Sequence, residues 1–333
     1  MNGLIAVDGG GTKTEFLLAD TAGHVLAKRI YSGTNLNNYG YDKAFATLEE
    51  GLEEFYEIAR DNDVKIAGVY FGLAGGVNGK NQEIVYDIFK KKYFGNIPFQ
   101  NAGDDLNSIN VGVKNAKNGI AVIAGTGSNV MLKKDGVVLD NPLLSGWGYL
   151  FDNGASGFDF GRDAIIAAKR EYCGLGEKTL ITQKLEEKLG TISVFDALKD
   201  FYSNGPEFVA SLSPIVFDAY KKGDKVAAQI IDNQVRSVAE MIERGHEIIG
   251  KDTDAVVGLV GGIFAHQKDI LVPKIKQLTD KNLTYVLPEE SQIYGALMEA
   301  AKVAGIKTDA KFLSNYHNTI QTPAFDTTAK SFE

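Results

Sequence analysis

The sequence predicts an α/β protein made of two related domains, on three observations. The chain has 333 residues, too many for one comfortable hydrophobic core and suited to two domains of ordinary size. Short apolar runs that read as strands alternate with segments of helical periodicity. One local pattern also occurs twice, beginning near residue 4 and again near residue 119: an apolar strand, a Gly/Thr loop, a second strand, a tight turn and a third strand. Such an internal duplication predicts two similar domains facing one another across a central cleft.

The elements follow in order. Residues 4–8 form a short apolar strand that runs into Gly9-Gly10-Gly11-Thr12-Lys13-Thr14. Residues 16–19 and 25–27 continue as strands on either side of the turn Asp20-Thr21-Ala22-Gly23. Residues 42–61 predict a helix, because Phe45, Leu48, Leu52, Phe55, Tyr56 and Ala59 recur at three- and four-residue spacing. A buried strand over 64–73, a helix over 82–91 and a strand over 97–101 lead to Gly103-Asp104-Asp105, which opens another helix.

The opening pattern then returns. Residues 119–124 run into Gly125-Thr126-Gly127-Ser128-Asn129, followed by strands at 130–132 and 137–139 around Asp135-Gly136, a strong hairpin signal. The polar stretch 114–119 sets the boundary, giving domains at 1–117 and 118–305. Helices are expected over 161–171, 180–189, 194–202, 207–221 and 224–250, then a buried strand over 255–260 entering Gly261-Gly262. A last helix over 291–304 is expected to pack back on the first domain. The tail, 306–333, is polar and aperiodic, so it is expected to be extended or loosely held.

Composition excludes several classes. Hydrophobic residues at 44% and charged residues at 23% describe a globular chain. A formal net charge of -8 disfavours non-specific nucleic-acid binding. Cys173 is the single cysteine, so an intramolecular disulfide and a Cys-rich zinc or iron–sulfur site are ruled out. The first residues lack the pattern of a signal peptide, and no apolar run approaches the roughly 20 residues of a membrane helix. The expectation is a cytoplasmic protein with no nucleic-acid or membrane partner.

Three loops follow apolar strands directly. In the first, Gly10 and Gly11 let backbone N–H groups approach a phosphate, Thr12 and Thr14 offer hydroxyls, Lys13 adds charge, and Asp8 can hold Mg²⁺ through water. Gly125-Thr126-Gly127 offers a similar anion nest, and Ser128 follows it. Gly261-Gly262 reads either as a nucleotide contact or as close helix–strand packing. A Walker A loop and a G-x-G-x-x-G motif are absent. Within Asp104-Asp105, one carboxylate can cap the helix while the other accepts a proton. Thr34-Asn35 and Gly146-Trp147-Gly148 suit hydroxyl recognition, though Trp147 equally suits a core position. The four histidines lack metal-ligand spacing.

Taken together, Asp8 to Thr14, Gly125 to Asn129, Asp104 and Gly146-Trp147-Gly148 resemble the N-acetylglucosamine kinase branch of the BadF/BadG/BcrA/BcrD ATPase family, within the actin–hexokinase superfamily. The resemblance spans residues 4–300 and implies duplicated actin-like (ribonuclease H-like) ATPase domains that bind ATP and Mg²⁺. It implies that Asp8 to Thr14 and Gly125 to Asn129 are the two phosphate loops, with Gly261 and Gly262 at the adenosine. It implies a Thr-Asn sugar contact at Thr34-Asn35 and selects Asp104, four residues before Ser108, as the base. It also suggests a homodimer.

One departure stands out. Where the family usually carries Gly-Asp-Glu-Gly-Ser, this chain has Asp152-Asn153-Gly154-Ala155-Ser156, placing Asn153 where an acid is expected. ROK-family kinases and iron–sulfur activators both need cysteines that this chain lacks. The expected activity is transfer of the γ-phosphoryl of MgATP to an amino sugar: N-acetylglucosamine, glucosamine or N-acetylmuramic acid. Asn35, Ser128, Trp147 and Asn153 would line the sugar site. The alternative is a non-catalytic sugar or nucleotide sensor on the same fold.

Overall fold

A computed structural model describes residues 1–114, 116–139 and 144–325. The chain forms two compact units, one of Met1–Val111 with the chain from Glu290 onward, the other of Gly112–Glu289. Among the described residues, no helix is long and apolar enough to cross a membrane.

In the first unit the order is β1 (Asn2–Gly9), β2 (Lys13–Asp20), β3 (Val25–Ser32), α1 (Leu36–Asp61), β4 (Lys65–Leu73), α2 (Asn81–Phe89), β5 (Phe99–Ala102) and α3 (Asp104–Gly112). The sheet order is β3-β2-β1-β4-β5; β1, β2 and β3 pair antiparallel, while β1, β4 and β5 pair parallel. Leu4 to Val7 are fully buried, as expected of a strand covered on both faces. Ile5, Val7, Phe16, Leu18, Val69 and Phe71 pack one face against Leu48, Leu52 and Phe55 of α1 and Val85 and Phe89 of α2. Phe71 meets Phe94 and Phe99 edge to face to close that core, with Phe71 and Phe99 centroids 5.1 Å apart.

The second unit contains β6 (Gly119–Ala124), β7 (Ser128–Lys134), β8 (Val137–Val138), α4 (Gly157–Tyr172), α5 (Leu180–Leu189), α6 (Leu198–Ser203), α7 (Gly205–Ala210), α8 (Pro214–Lys221), α9 (Lys225–Ile249), β9 (Ala255–Val260), α10 (Gly262–Leu278) and β10 (Leu283–Val286). Its sheet order, β8-β7-β6-β9-β10, repeats that of the first unit strand for strand, with the same antiparallel and parallel pairings. The duplication read from the sequence is therefore real at the level of topology. The chain then returns to the first unit as α11 (Gln292–Val303), which packs on β1 and β4, and α12 (Ala310–Thr319), which meets β3.

Five segments differ from the sequence expectation. Helix α1 starts at Leu36 rather than near 42, because Asn35 caps it: its Oδ1 accepts from the Asn37 amide, and the chain bends at Gly40 (φ 70°). The runs 194–202 and 207–221 are each broken: Val194–Ala197 is a tight 3₁₀ turn before α6, and Pro214 starts α8 afresh. Helix α10 went unread, since Pro273 lies inside it and only Phe264, Leu271 and Ile275 are buried. The tail is also more ordered than its composition suggested. Asp309 caps α12, and Phe312 and Tyr316, one turn apart, are each 3% exposed. Two buried residues per helix are too few to register as periodicity.

Replacing Phe312 by alanine should therefore cost about 3 kcal/mol, the usual range for a buried Phe→Ala change. Urea denaturation checks this; a loss below about 0.5 kcal/mol, the level of an ordinary surface substitution, would show that α12 is not docked as described.

Candidate active site

In the first unit the polar groups collect at the carboxyl ends of the parallel strands, where open α/β sheets usually hold ligands. Asp8 lies at the end of β1, and the Gly10 amide donates to the Lys13 carbonyl at 2.9 Å to close the loop into β2. The Thr34 amide donates to the Gly10 carbonyl at 3.0 Å, which brings the 33–35 segment alongside. A Cβ on Gly9 would stand 2.2 Å from Thr34 Oγ1, so only glycine permits this approach. The Thr14 hydroxyl is buried; it lies 2.9 Å from the Thr34 hydroxyl and 2.8 Å from the Ser32 carbonyl. It faces the scaffold, whereas Thr12 and Lys13 are exposed and Gly10 and Gly11 half-buried. Lys13 pairs with Glu15.

Asp104 is the first residue of α3, after β5, and both it and Asp8 are half-buried. Although each keeps some exposed area, their surroundings are dry enough that burial is the dominant influence. Burial pushes the Asp8 carboxyl up to about 7, Asn107 opposing it and Glu15 adding to it. Burial, then Asp105 and Asp8, hold the Asp104 carboxyl well above the usual range. Asn107 Nδ2 donates to Asp8 Oδ1 at 2.6 Å. The helix carrying Asp104 thus also holds Asp8. A perturbed carboxyl of this kind is suited to taking a proton near neutral pH.

In the second unit, the Gly125 amide donates to the Gly127 carbonyl at 2.9 Å, and the Gly157 and Phe158 amides at the start of α4 donate to the Gly125 and Thr126 carbonyls at 2.8 and 3.0 Å. Ser128 begins β7, and its buried Oγ has no hydrogen-bond partner among the described residues. Asp152 Oδ2 accepts from the Gly146 and Gly148 amides at 3.1 and 2.9 Å, fixing the loop that carries Trp147. Trp147 is 70% exposed, which excludes the core reading. Asn153 is exposed and tied to Arg162 and Gln234. Gly261 (φ 105°) leaves no room for a Cβ, which would lie 2.4 Å from the Ala124 carbonyl oxygen, while the space around Gly262 is open. Close packing therefore accounts for Gly261, and only Gly262 is free to meet a ligand.

The first unit thus gathers Asp8, Gly10 to Lys13, Asn35 and Asp104 at the carboxyl ends of its parallel strands. The second gathers Gly125 to Ser128, Trp147 and Asn153, with Gly261 beside the end of β6. Mg²⁺ typically takes one or two carboxylates plus phosphate oxygens and water. Asp8 fits that need, with one oxygen held by Asn107 and the other not. No group of three His, Cys, Asp or Glu side chains that could hold a metal occurs among the described residues. Sequence reasoning missed Asn107, Arg162 and Gln234. Gln234 had a signal, as a polar residue among the buried Ile230, Ile231, Val235 and Val238 of α9; Asn107 had only its place one turn after Asp104.

Known proteins resemble this chain in sequence and in fold. The profile of the BadF/BadG/BcrA/BcrD ATPase family matches residues 5–300. An N-acetyl-D-glucosamine kinase of Dictyostelium discoideum is 26% identical, over 82% of this chain and 90% of its own. An N-acetylmuramic acid/N-acetylglucosamine kinase of Clostridium acetobutylicum is 27% identical, over 85% of this chain and 95% of its own. The crystal structure of a Chromobacterium violaceum protein, provisionally named N-acetylglucosamine kinase, superposes with a TM-score of 0.68 at 24% identity, over 89% of this chain and 98% of that one. At that identity it attests the fold, which is that of the actin-like sugar kinases.

The Asp8 shift has a signed consequence. Its folded value near 7 lies above the ordinary carboxylate value of about 4, so the folded protein retains a proton that the unfolded chain has released. That contribution to stability is complete below about pH 4 and lost as pH rises through 7. Asp8→Asn should therefore raise the melting temperature at pH 8 and leave it unchanged at pH 4; equal shifts at both would contradict a raised Asp8.

Proposed function

The chain belongs to the BadF/BadG/BcrA/BcrD ATPase family, and on that premise we propose that it transfers the γ-phosphoryl group of ATP to a hydroxyl of an amino sugar. It is a phosphotransferase with an alcohol acceptor, and N-acetylglucosamine or a close derivative is its substrate. The observation that carries this reading is the placement of Asp104 at the start of α3, directly after β5, on the same side of the sheet as Asp8 and the glycine loop that follow β1; burial raises its carboxyl. The names of the two curated kinases support the substrate class.

Asp104 accepts or orients the proton of the attacking hydroxyl. Backbone amides of Gly10 to Lys13 and of Gly125 to Gly127 bind the phosphates, and Lys13 adds charge that Glu15 partly offsets. Thr14 buttresses the first loop through Thr34 and Ser32. Gly262 meets the adenosine and Gly261 sets its approach. Mg²⁺, held by Asp8, would neutralise charge on the transferring phosphates. Phosphoryl transfer needs little covalent help from a protein, so positioned amides and charges carry most of the catalysis. Asn35, Ser128, Trp147 and Asn153 contact the sugar. The reaction belongs to the cytoplasm, where ATP is supplied.

Asp104→Asn should leave ATP affinity within about twofold while turnover falls about 10²-fold or more, the scale of a lost general base. Coupled ADP release over a panel of hexoses, hexosamines and N-acylhexosamines, with calorimetric ATP binding, measures both; near-full activity would remove Asp104 from the role.

A further inference from the structure

Asn153 sits where the family usually carries an acid, and its surroundings decide what it can offer a ligand. The reading starts from one fixed donor. The Ala155 amide can only donate, so the Gln234 atom 3.2 Å from it is the carbonyl oxygen, Oε1. The other end of the Gln234 amide is then nitrogen, and it donates to Asp163 Oδ2 at 2.7 Å and to Asn153 at 2.9 Å. Arg162, which has no acceptor, reaches the same Asn153 atom through Nη2 at 3.0 Å. An atom approached by two donors is the carbonyl oxygen, Oδ1. The Asn153 Nδ2 group is therefore turned away from both, with no hydrogen-bond partner among the described residues, on an exposed side chain.

The arrangement is rigid. Gln234 is 1% exposed on the buried face of α9, and the Asn153 carbonyl accepts from Ser237 Oγ. The neighbouring acids are engaged elsewhere. Asp152 Oδ2 accepts from the Gly146 and Gly148 amides. Asp159 Oδ2 accepts from the amides of Gly154 and Ser156 and from the Ser156 hydroxyl at 2.7 Å. Position 153 thus presents donors only, where a carboxylate would present acceptors only.

We propose that Asn153 reads the acyl carbonyl oxygen on the sugar nitrogen and so selects N-acylated hexosamines over the free amine. The inference rests on the sugar-kinase reading above. The free amine is an ammonium near neutral pH, with donors and no acceptor, so it offers Nδ2 no partner and forgoes the hydrogen bond that the acyl oxygen makes.

The test compares kcat/KM for N-acetylglucosamine, N-acetylmuramic acid and glucosamine in the natural protein and in Asn153→Asp. The aspartate keeps an acceptor for Arg162 and Gln234 and replaces the amide nitrogen with oxygen. The natural protein should favour the acylated sugars, and the variant should lose about tenfold of that preference, the size of one such hydrogen bond. Both acylated sugars should fall alike; a fall confined to N-acetylmuramic acid, whose carboxylate is on its lactyl ether and not on the nitrogen, would overturn the acyl assignment. Asn153→Ala, which removes the donors without adding charge, should move the ratio in the same direction. A natural preference for glucosamine, or an unchanged ratio in both variants, overturns the inference while leaving the kinase intact. No turnover with any sugar overturns the kinase reading itself, and this inference with it.

Discussion

Two strands, β1 and β6, are buried on both faces, and that constraint decides where everything polar must go. Leu4 to Val7 and Ile120 to Val122 have no exposed area, so neither strand can carry a functional side chain along its length. A polar group on such a strand is admissible only at its end. There the chain places Asp8 and the glycine loop in one unit, and Gly125 to Gly127 in the other. The duplicated sheet order makes the same constraint act twice, which is why two glycine loops arise from one architectural rule.

Much of the acid in this protein serves the backbone rather than a ligand. Asp152 and Asp159 bind amides of the 146–156 segment, Asp309 caps α12, and Asp224 accepts from the Leu180 and Ala227 amides. Each pairing satisfies a donor that would otherwise be unpaired at a loop or helix end. What remains for chemistry is a short set, led by Asp8 and Asp104, and these are the carboxyls whose protonation is most altered by burial in the first unit. The separation is one of engagement: burial raises Asp152 and Asp159 as well, but loop amides oppose the rise and occupy their oxygens, whereas Asp8 and Asp104 stand at the strand ends with burial as the leading influence.

The architecture was legible because its signals were strong and local. The strands 4–8 and 119–124, the Asp135-Gly136 turn and the long periodic run of α9 all reappear in the structure at nearly the expected positions. The pair Asp104-Asp105 was legible for a similar reason, as acids directly after an apolar strand, and the family resemblance chose Asp104 of the two. What escaped was set by tertiary context. Helix α10 buries too few residues to show a period, α12 is fixed by Phe312 and Tyr316 alone, and the roles of Asn107 and Gln234 appear only when residues 99 and 81 positions away in the chain meet them. Trp147 was ambiguous from its type, and exposure resolved it.

The central claim is that the transferred phosphoryl group goes to a sugar hydroxyl. The most direct measurement is the fate of the label when the protein is incubated with γ-labelled ATP and N-acetylglucosamine. The account predicts that label appears in an anionic sugar phosphate, in step with ADP and dependent on the sugar. Label found only in inorganic phosphate, at a rate the sugar does not change, would contradict it.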